Sequence, residues 1–157
     1  MNYWLETNST YHEREGLYLI CPIHSEYVKN HKLYKIMLEP LPNDIVFHYF
    51  VYQSTKHENI IKSYSTIKNS YREVHEQDDL CINKPPYRKI ELINNSQFKN
   101  NITYKMLLER RGEIEFICKT FQKGRTPFDK NFRFKQMYLS RVPEKLAEIF
   151  FSISEKN

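Results

Sequence analysis

Glycine is scarce in this sequence, 3 of 157 residues, which rules out a glycine-rich loop for cradling phosphates. Cysteine is scarce too. Cys21, Cys81 and Cys118 are odd in number and far apart, which argues against a disulfide framework and for a reducing compartment. The opening MNYWLETNST has neither a cationic start nor an apolar stretch, and no apolar run reaches the length of a membrane span. The expectation is a cytoplasmic protein with no membrane partner. No Glu is followed two positions later by Lys, the pairing with which a restriction-type nuclease core steadies metal and phosphate. Cys21-Pro-Ile-His24 has the spacing of a zinc ligand pair, but no second pair matches it, so neither metal nor cofactor is expected. Histidines 12, 24, 31, 48, 57 and 75 are spread so that spacing singles out none as a general acid or base.

What is present is aromatic and mildly basic. Aromatics make up 15% of the chain, led by 12 Tyr, and the 40% hydrophobic content suits a packed globule. The 24 Lys and Arg exceed the 19 Asp and Glu, a formal +5 that suits a polyanionic partner through counterion release. The excess is densest in QKGRTPFDKNFRFK (122–135), where Lys123, Arg125, Lys130, Arg133 and Lys135 alternate with phenylalanines. Such a run is often a solvated face, but interleaved rings also suit phosphate and base contact.

The pattern along the chain predicts strands over 1–6, 17–22, 44–53, 59–67, 87–93 and the QMYLSRV segment, with 44–67 as a hairpin. Helices are predicted over 31–40, ended by Pro40, over 100–112, ended by Gly112, and from Pro143 onward with Leu146, Ile149, Phe150 and Ile153 inward. Residues 8–16 read as a polar turn or short helix and 69–86 as a charged loop, while EIEFICKTF fits strand or helix. The fold class is α+β, a small, mostly closed mixed β-barrel with helices packed outside, in one domain over 1–157.

The stretch PNDIVFHY (42–49) carries the most specific signal. Together with YWL, GLYLICP, SYSTI, PPYRKIEL and QMYLSRVPEKLAEIF, in this order, it resembles the EVE/YTH-like branch of the PUA superfamily. The likeness is greatest to the N-terminal specificity domain of McrB-type restriction proteins and extends over nearly the whole chain. It implies a non-catalytic domain that binds DNA and inspects one methylated base, flipped into an aromatic-lined pocket at a barrel mouth. An extruded base regains about 1–3 kcal/mol for each aromatic surface it meets.

Matched by position, the resemblance puts Asn8 and Ser9 at the base edge. It puts Ile20, Cys21 and Pro22 where a Trp-Ala-Pro wall stands, and Tyr64 and Ser65 on the next strand. His48 is the histidine of Phe-His-Tyr. Trp4 and Tyr11 are further wall candidates, and Arg88 and Lys89 join the basic stretch as phosphate contacts. Three departures stand out: Ile20 for tryptophan, Asn43 for the glycine before Asp44, and Met137 for the glycine before Tyr138.

Each assignment has a plainer counterpart. Trp4 suits a core anchor, Asn8 a turn cap and Tyr64 barrel packing. Phe47 and Tyr49 are two apart on a strand and share a face, so His48 points the other way, toward the polar side. The implied function is a specificity module whose AAA+ motor and nuclease lie on other domains or subunits. The alternatives are a methylated-RNA reader, a small-molecule or nucleotide sensor, and a hydrolase pairing His48 with Asp44.

Overall fold

The computed structural model describes residues 1–9, 16–23, 31–51, 58–79 and 84–155, apart from the side chains of Ser9, His31, Lys32 and Leu33. In chain order come strands β1 (Tyr3–Ser9) and β2 (Tyr18–Pro22), a 3-10 helix (His31–Leu38), β3 (Ile45–Val51), β4 (Ile60–Ile67) and β5 (Arg72–Val74). The long strand β6 (Tyr87–Thr103), helices α1 (Tyr104–Leu108) and α2 (Arg111–Thr120), β7 (Leu139–Val142) and α3 (Glu144–Glu155) complete it. The sheet order is β2-β6-β4-β3-β1-β7, with β5 pairing with Tyr87–Lys89 of β6 on the edge opposite β2. The sheet is mixed, since β1 runs parallel to β3 and the other pairs are antiparallel. It curls into a half-barrel with the helices packed on its outer face, an α+β arrangement.

Strand alternation divides the core in two. Leu5, Phe47 and Tyr49 face outward to α1, α2 and α3, where Phe47 meets Phe150 edge-on at 5.2 Å. Burying one such ring is worth about 2–3 kcal/mol. Trp4 and Val46 face inward and meet Leu19, Cys21, Ile90, Leu92 and Leu139. Phe47 and His48 therefore part company as alternation requires.

Several predicted boundaries shift. Strand β6 continues to Thr103, because Ile102 and Thr103 pair with Ile61 and Ile60. The helix expected from 100 therefore starts at 104, where the Thr103 hydroxyl caps it by accepting the Met106 N–H at 3.3 Å. Gly112 is no stop: it lies inside α2, whose Ile114 and Ile117 share a buried face, so helical spacing governs EIEFICKTF. The loop expected over 69–86 contributes the short β5. Cys21 and Cys118 are free thiols, and no described helix is long and apolar enough to cross a membrane.

The turn before β3 is built around one buried carboxylate. Asn43 takes φ +72°, a left-handed conformation that asparagine adopts at little cost in place of glycine, whereas Met137 is not among the described residues with positive φ. Asp44, 3% exposed, accepts the Asn2 N–H at 2.7 Å, the Trp4 indole N–H at 3.0 Å and the Leu41 N–H at 3.0 Å. Burial opposes its ionisation. The donors outweigh that opposition and hold its carboxyl below the ordinary aspartate value.

A depressed folded pKa means that ionised Asp44 stabilises the fold above the unfolded-chain pKa and loses that contribution as pH falls through the folded value. Asp44→Ala should cost about 3 kcal/mol in urea denaturation at pH 7, from the buried Trp4 donor and two part-buried backbone donors left unpaired. Its deficit relative to wild type should shrink below about pH 4. A deficit that stayed constant with pH would show that the charge on Asp44 does not matter.

Candidate functional site

Because β1 and β3 are parallel, Ser9 and Val51 end them side by side, opposite the Asp44 end. Toward this end the inward face turns from apolar to polar. Glu6, Asn8, His48, Ser63 and Ser65 are all buried there, at 2% exposure or less. Their positions follow from alternation and register. Glu6 and Asn8 continue the inward series begun by Trp4, and His48 stands beside Glu6. Ser65 lies opposite Val46, and Ser63 opposite His48.

The Glu6 carboxylate is the hub. Its Oε2 accepts from His48 Nδ1 at 2.9 Å and from Asn8 Nδ2 at 2.8 Å, and its Oε1 accepts the Tyr138 hydroxyl at 3.0 Å. A carboxylate only accepts, so the His48 proton facing it sits on Nδ1. Its Nε2 lies 2.9 Å from the Ser65 hydroxyl, within hydrogen-bond distance. The same logic fixes the Asn8 amide with its nitrogen toward Glu6. Asn8 Oδ1 is left with no donor among the described residues, on a side chain only 2% exposed.

The Tyr138 oxygen also accepts the Ile20 N–H at 2.9 Å. Strands β2 and β7 are the two edges of the sheet, so this phenol bridges the seam of the half-barrel while it holds Glu6. Ser65, His48 and Glu6 form a line with the spacing of a hydrolytic relay. His48 and Ser65 are both 0% exposed, which makes the line an internal brace in this conformation. The pairing of His48 with Asp44 is overturned. Asp44 serves the opposite end of β3, and the carboxylate partner of His48 is Glu6.

The structure sorts the remaining sequence-derived residues. Trp4 lies on the inward face, but toward the Asp44 end, fully buried as a core anchor. Cys21 is inward in the apolar cluster, and Pro22 is buried where β2 ends. Ile20 does not line the interior. It pairs with Lys89 on the outer face of β2, and what it offers the site is its backbone N–H. Tyr64 is likewise corrected: it is opposite Phe47 and packs on Phe98 and Phe151 on the helix side, away from His48. Tyr11 and the Ser9 side chain lie outside the described residues, as does His24.

The basic stretch does not form one face. Arg125 is paired through its backbone with Arg141 beside Trp4, and Lys123 lines a cleft with Tyr3, both at the Asp44 end. Phe134 stacks on Tyr49 at 4.0 Å, which brings Arg133 and Lys135 toward the polar end. The interleaved rings are core: Phe128 and Phe132 are buried and stacked at 4.6 Å. Lys130 is exposed, and Arg133 is tied to Asp129 at 3.1 Å. Lys89 is held over the Tyr18 ring at 3.7 Å and beside Asp78 at 3.6 Å, and Arg88 precedes it on β6, partly exposed.

Sequence reasoning missed Glu6, Tyr138 as its partner, and Phe50. Phe50 is two residues beyond His48 on the inward face, opposite Asn8, with Lys62 Nζ 4.7 Å above its ring. Alternation from Trp4 to Glu6 to Asn8 was the available signal for the first.

No protein-family profile matches the sequence, and no curated protein matches it. Solved structures do match in fold. The human THYN1 protein, in a crystal structure with DNA containing 5-methylcytosine, has a TM-score of 0.59 at 12% identity, covering 100% of this chain and 99% of that one. The DUF55 domain of human thymocyte nuclear protein 1 gives 0.58 at 15% identity, covering 99% of each. The N-terminal domain of Staphylothermus marinus McrB gives 0.59 at 16%, covering 96% of this chain and 93% of that one. At these identities the likeness is one of fold.

If the phenol bridge ties the edges, Tyr138→Phe should cost about 1–3 kcal/mol, since it leaves the Ile20 N–H and one Glu6 oxygen short of a partner. Hydrogen exchange at the Ile20 amide should speed up with it. Unchanged Ile20 exchange would show that the bridge does not protect the seam.

Proposed function

We propose that this chain, read as one module over 1–157, recognises a modified base in DNA by receiving it, flipped from the helix, at the polar end of the half-barrel. The observation that carries the reading is the Asn8 amide. Its orientation is held by Glu6, and its carbonyl oxygen is buried without a donor among the described residues. A buried acceptor of this kind costs about 1–3 kcal/mol until a ligand supplies a donor. An amide offering C=O beside N–H complements a base edge with an amino group next to a ring nitrogen, as in cytosine and adenine. A keto edge, as in thymine, would set acceptor against acceptor. Phe50, on the same face, supplies an apolar surface for a ring or a methyl group. The shared fold of a protein crystallised with 5-methylcytosine DNA, and of a McrB N-terminal domain, supports the same reading.

In this account the module binds and does not cut. It serves as the specificity element of a modification-dependent restriction system in the cytoplasm, with an AAA+ motor and a nuclease on other domains or subunits. Lys130, Arg133 and Lys135 contact phosphates near the mouth, and the protein's net charge of +5 assists association.

The test is a titration against matched duplexes, unmodified or carrying 5-methylcytosine, 5-hydroxymethylcytosine or 6-methyladenine, at two salt concentrations. The expected result is a preference of at least about tenfold for one modified duplex, or 1.4 kcal/mol. Asn8→Ala should abolish the preference, whereas Lys130→Ala and Lys135→Ala should weaken all duplexes alike and flatten the salt dependence. Tyr64→Ala should destabilise the fold by about 2–4 kcal/mol as a core truncation and leave the preference intact. Equal binding to every duplex would refute the reading, and stronger binding to the matching methylated RNA would move it to RNA.

A further inference from the structure

A sizeable cavity lies far from the polar mouth, at the Asp44 end of the sheet. It is a cleft of about 680 Å³ where the start of β1, the end of α2 and the β7–α3 junction converge. That volume falls in the range of small-molecule sites, about 300–1,000 Å³. Ile117, Val142 and Pro143 are buried and give it an apolar floor. Tyr3, Phe116 and Phe121 supply rings at its sides, with Phe116 left 68% exposed.

The charged lining is partly cancelled and partly open. Arg141 pairs with Glu39 at 2.8 Å, and Glu113 pairs with Arg110. Lys123 and Lys145 have no ion-pair partner among the described residues. Gln122 and Glu144 line the same cleft, and their side chains carry no hydrogen bond among the described residues.

We propose that this cleft is a second ligand site, separate from the base-reading mouth, and that its ligand is a free nucleoside phosphate. Each part of that ligand has a counterpart. The rings take the flat base over the apolar floor, the two lysines take the phosphate, and Gln122 and Glu144 take sugar hydroxyls. A purely apolar ligand would leave both lysines unused, and inorganic phosphate would leave the rings unused. The site owes nothing to Glu6 or Asn8, so it stands or falls apart from the DNA-reading function.

The test follows backbone amide shifts of the ¹⁵N-labelled protein during titration with adenosine and guanosine monophosphate. The expected result is a saturable shift at Phe116, Lys123 and Lys145, with Ile20 and Asn8 unmoved. Adenosine alone and inorganic phosphate alone should bind at least about tenfold more weakly. The variants Phe116→Ala and Lys123→Glu with Lys145→Glu change exposed side chains, so they should fold and should each weaken binding at least about tenfold. Absence of a saturable shift up to about 5 mM, equal binding of adenosine, or unchanged affinity in both variants would overturn the proposal.

Discussion

A buried carboxylate governs this structure. Removing the Glu6 charge from water costs several kcal/mol unless donors surround it, and the donors come from three places. His48 comes from β3, Asn8 from β1 itself, and Tyr138 from the segment entering β7. Meeting that one demand fixes the hydrogen on the imidazole, sets the direction of an amide and bridges two strand edges. The polar end of the interior is specified by hydrogen bonding, while the Trp4 end is specified by packing around an indole anchored to Asp44.

That division explains how two faces of one sheet do different work. The outward face of β1 and β3 is a continuous apolar bed for the helices, with Phe47 at its centre. The inward face is apolar through Val46 and polar from His48 onward. Helices on one side give rigidity, which a recognition site needs if its groups are to hold position within a few tenths of an ångström. Asn8 and Phe50, proposed above to meet a base, both stand on strands.

Much of this was legible in the sequence, for local reasons. PNDIVFHY announces a turn and a strand whose aromatic and imidazole side chains must part, and Asn43 in the left-handed region keeps the turn without glycine. The closing helix and the 44–67 hairpin follow from periodicity and turn chemistry. The hub was illegible because its partners are remote, with Glu6 and Tyr138 separated by 132 residues. Tyr64 and Ile20 were misplaced because position within a motif does not state which face of a strand is inward; that depends on the neighbours, Phe47 for one and Lys89 for the other. Periodicity also failed at 100–103, where pairing with β4 outweighed helical spacing until Thr103 supplied a cap.

The phenol of Tyr138 has one more consequence. Among the described residues the two sheet edges share no backbone ladder, and this oxygen is a hydrogen-bonded link between them. A closed barrel has a girth set by strand number and stagger and widens only by breaking a ladder. Here the edges are held by side chains: the Tyr138 phenol ties them, and Leu19 and Cys21 of β2 share a buried apolar cluster with Leu139 of β7. The girth of the interior is therefore held by side chains and not by a closed ladder, and the oxygen that reports to Glu6 is one of its clasps.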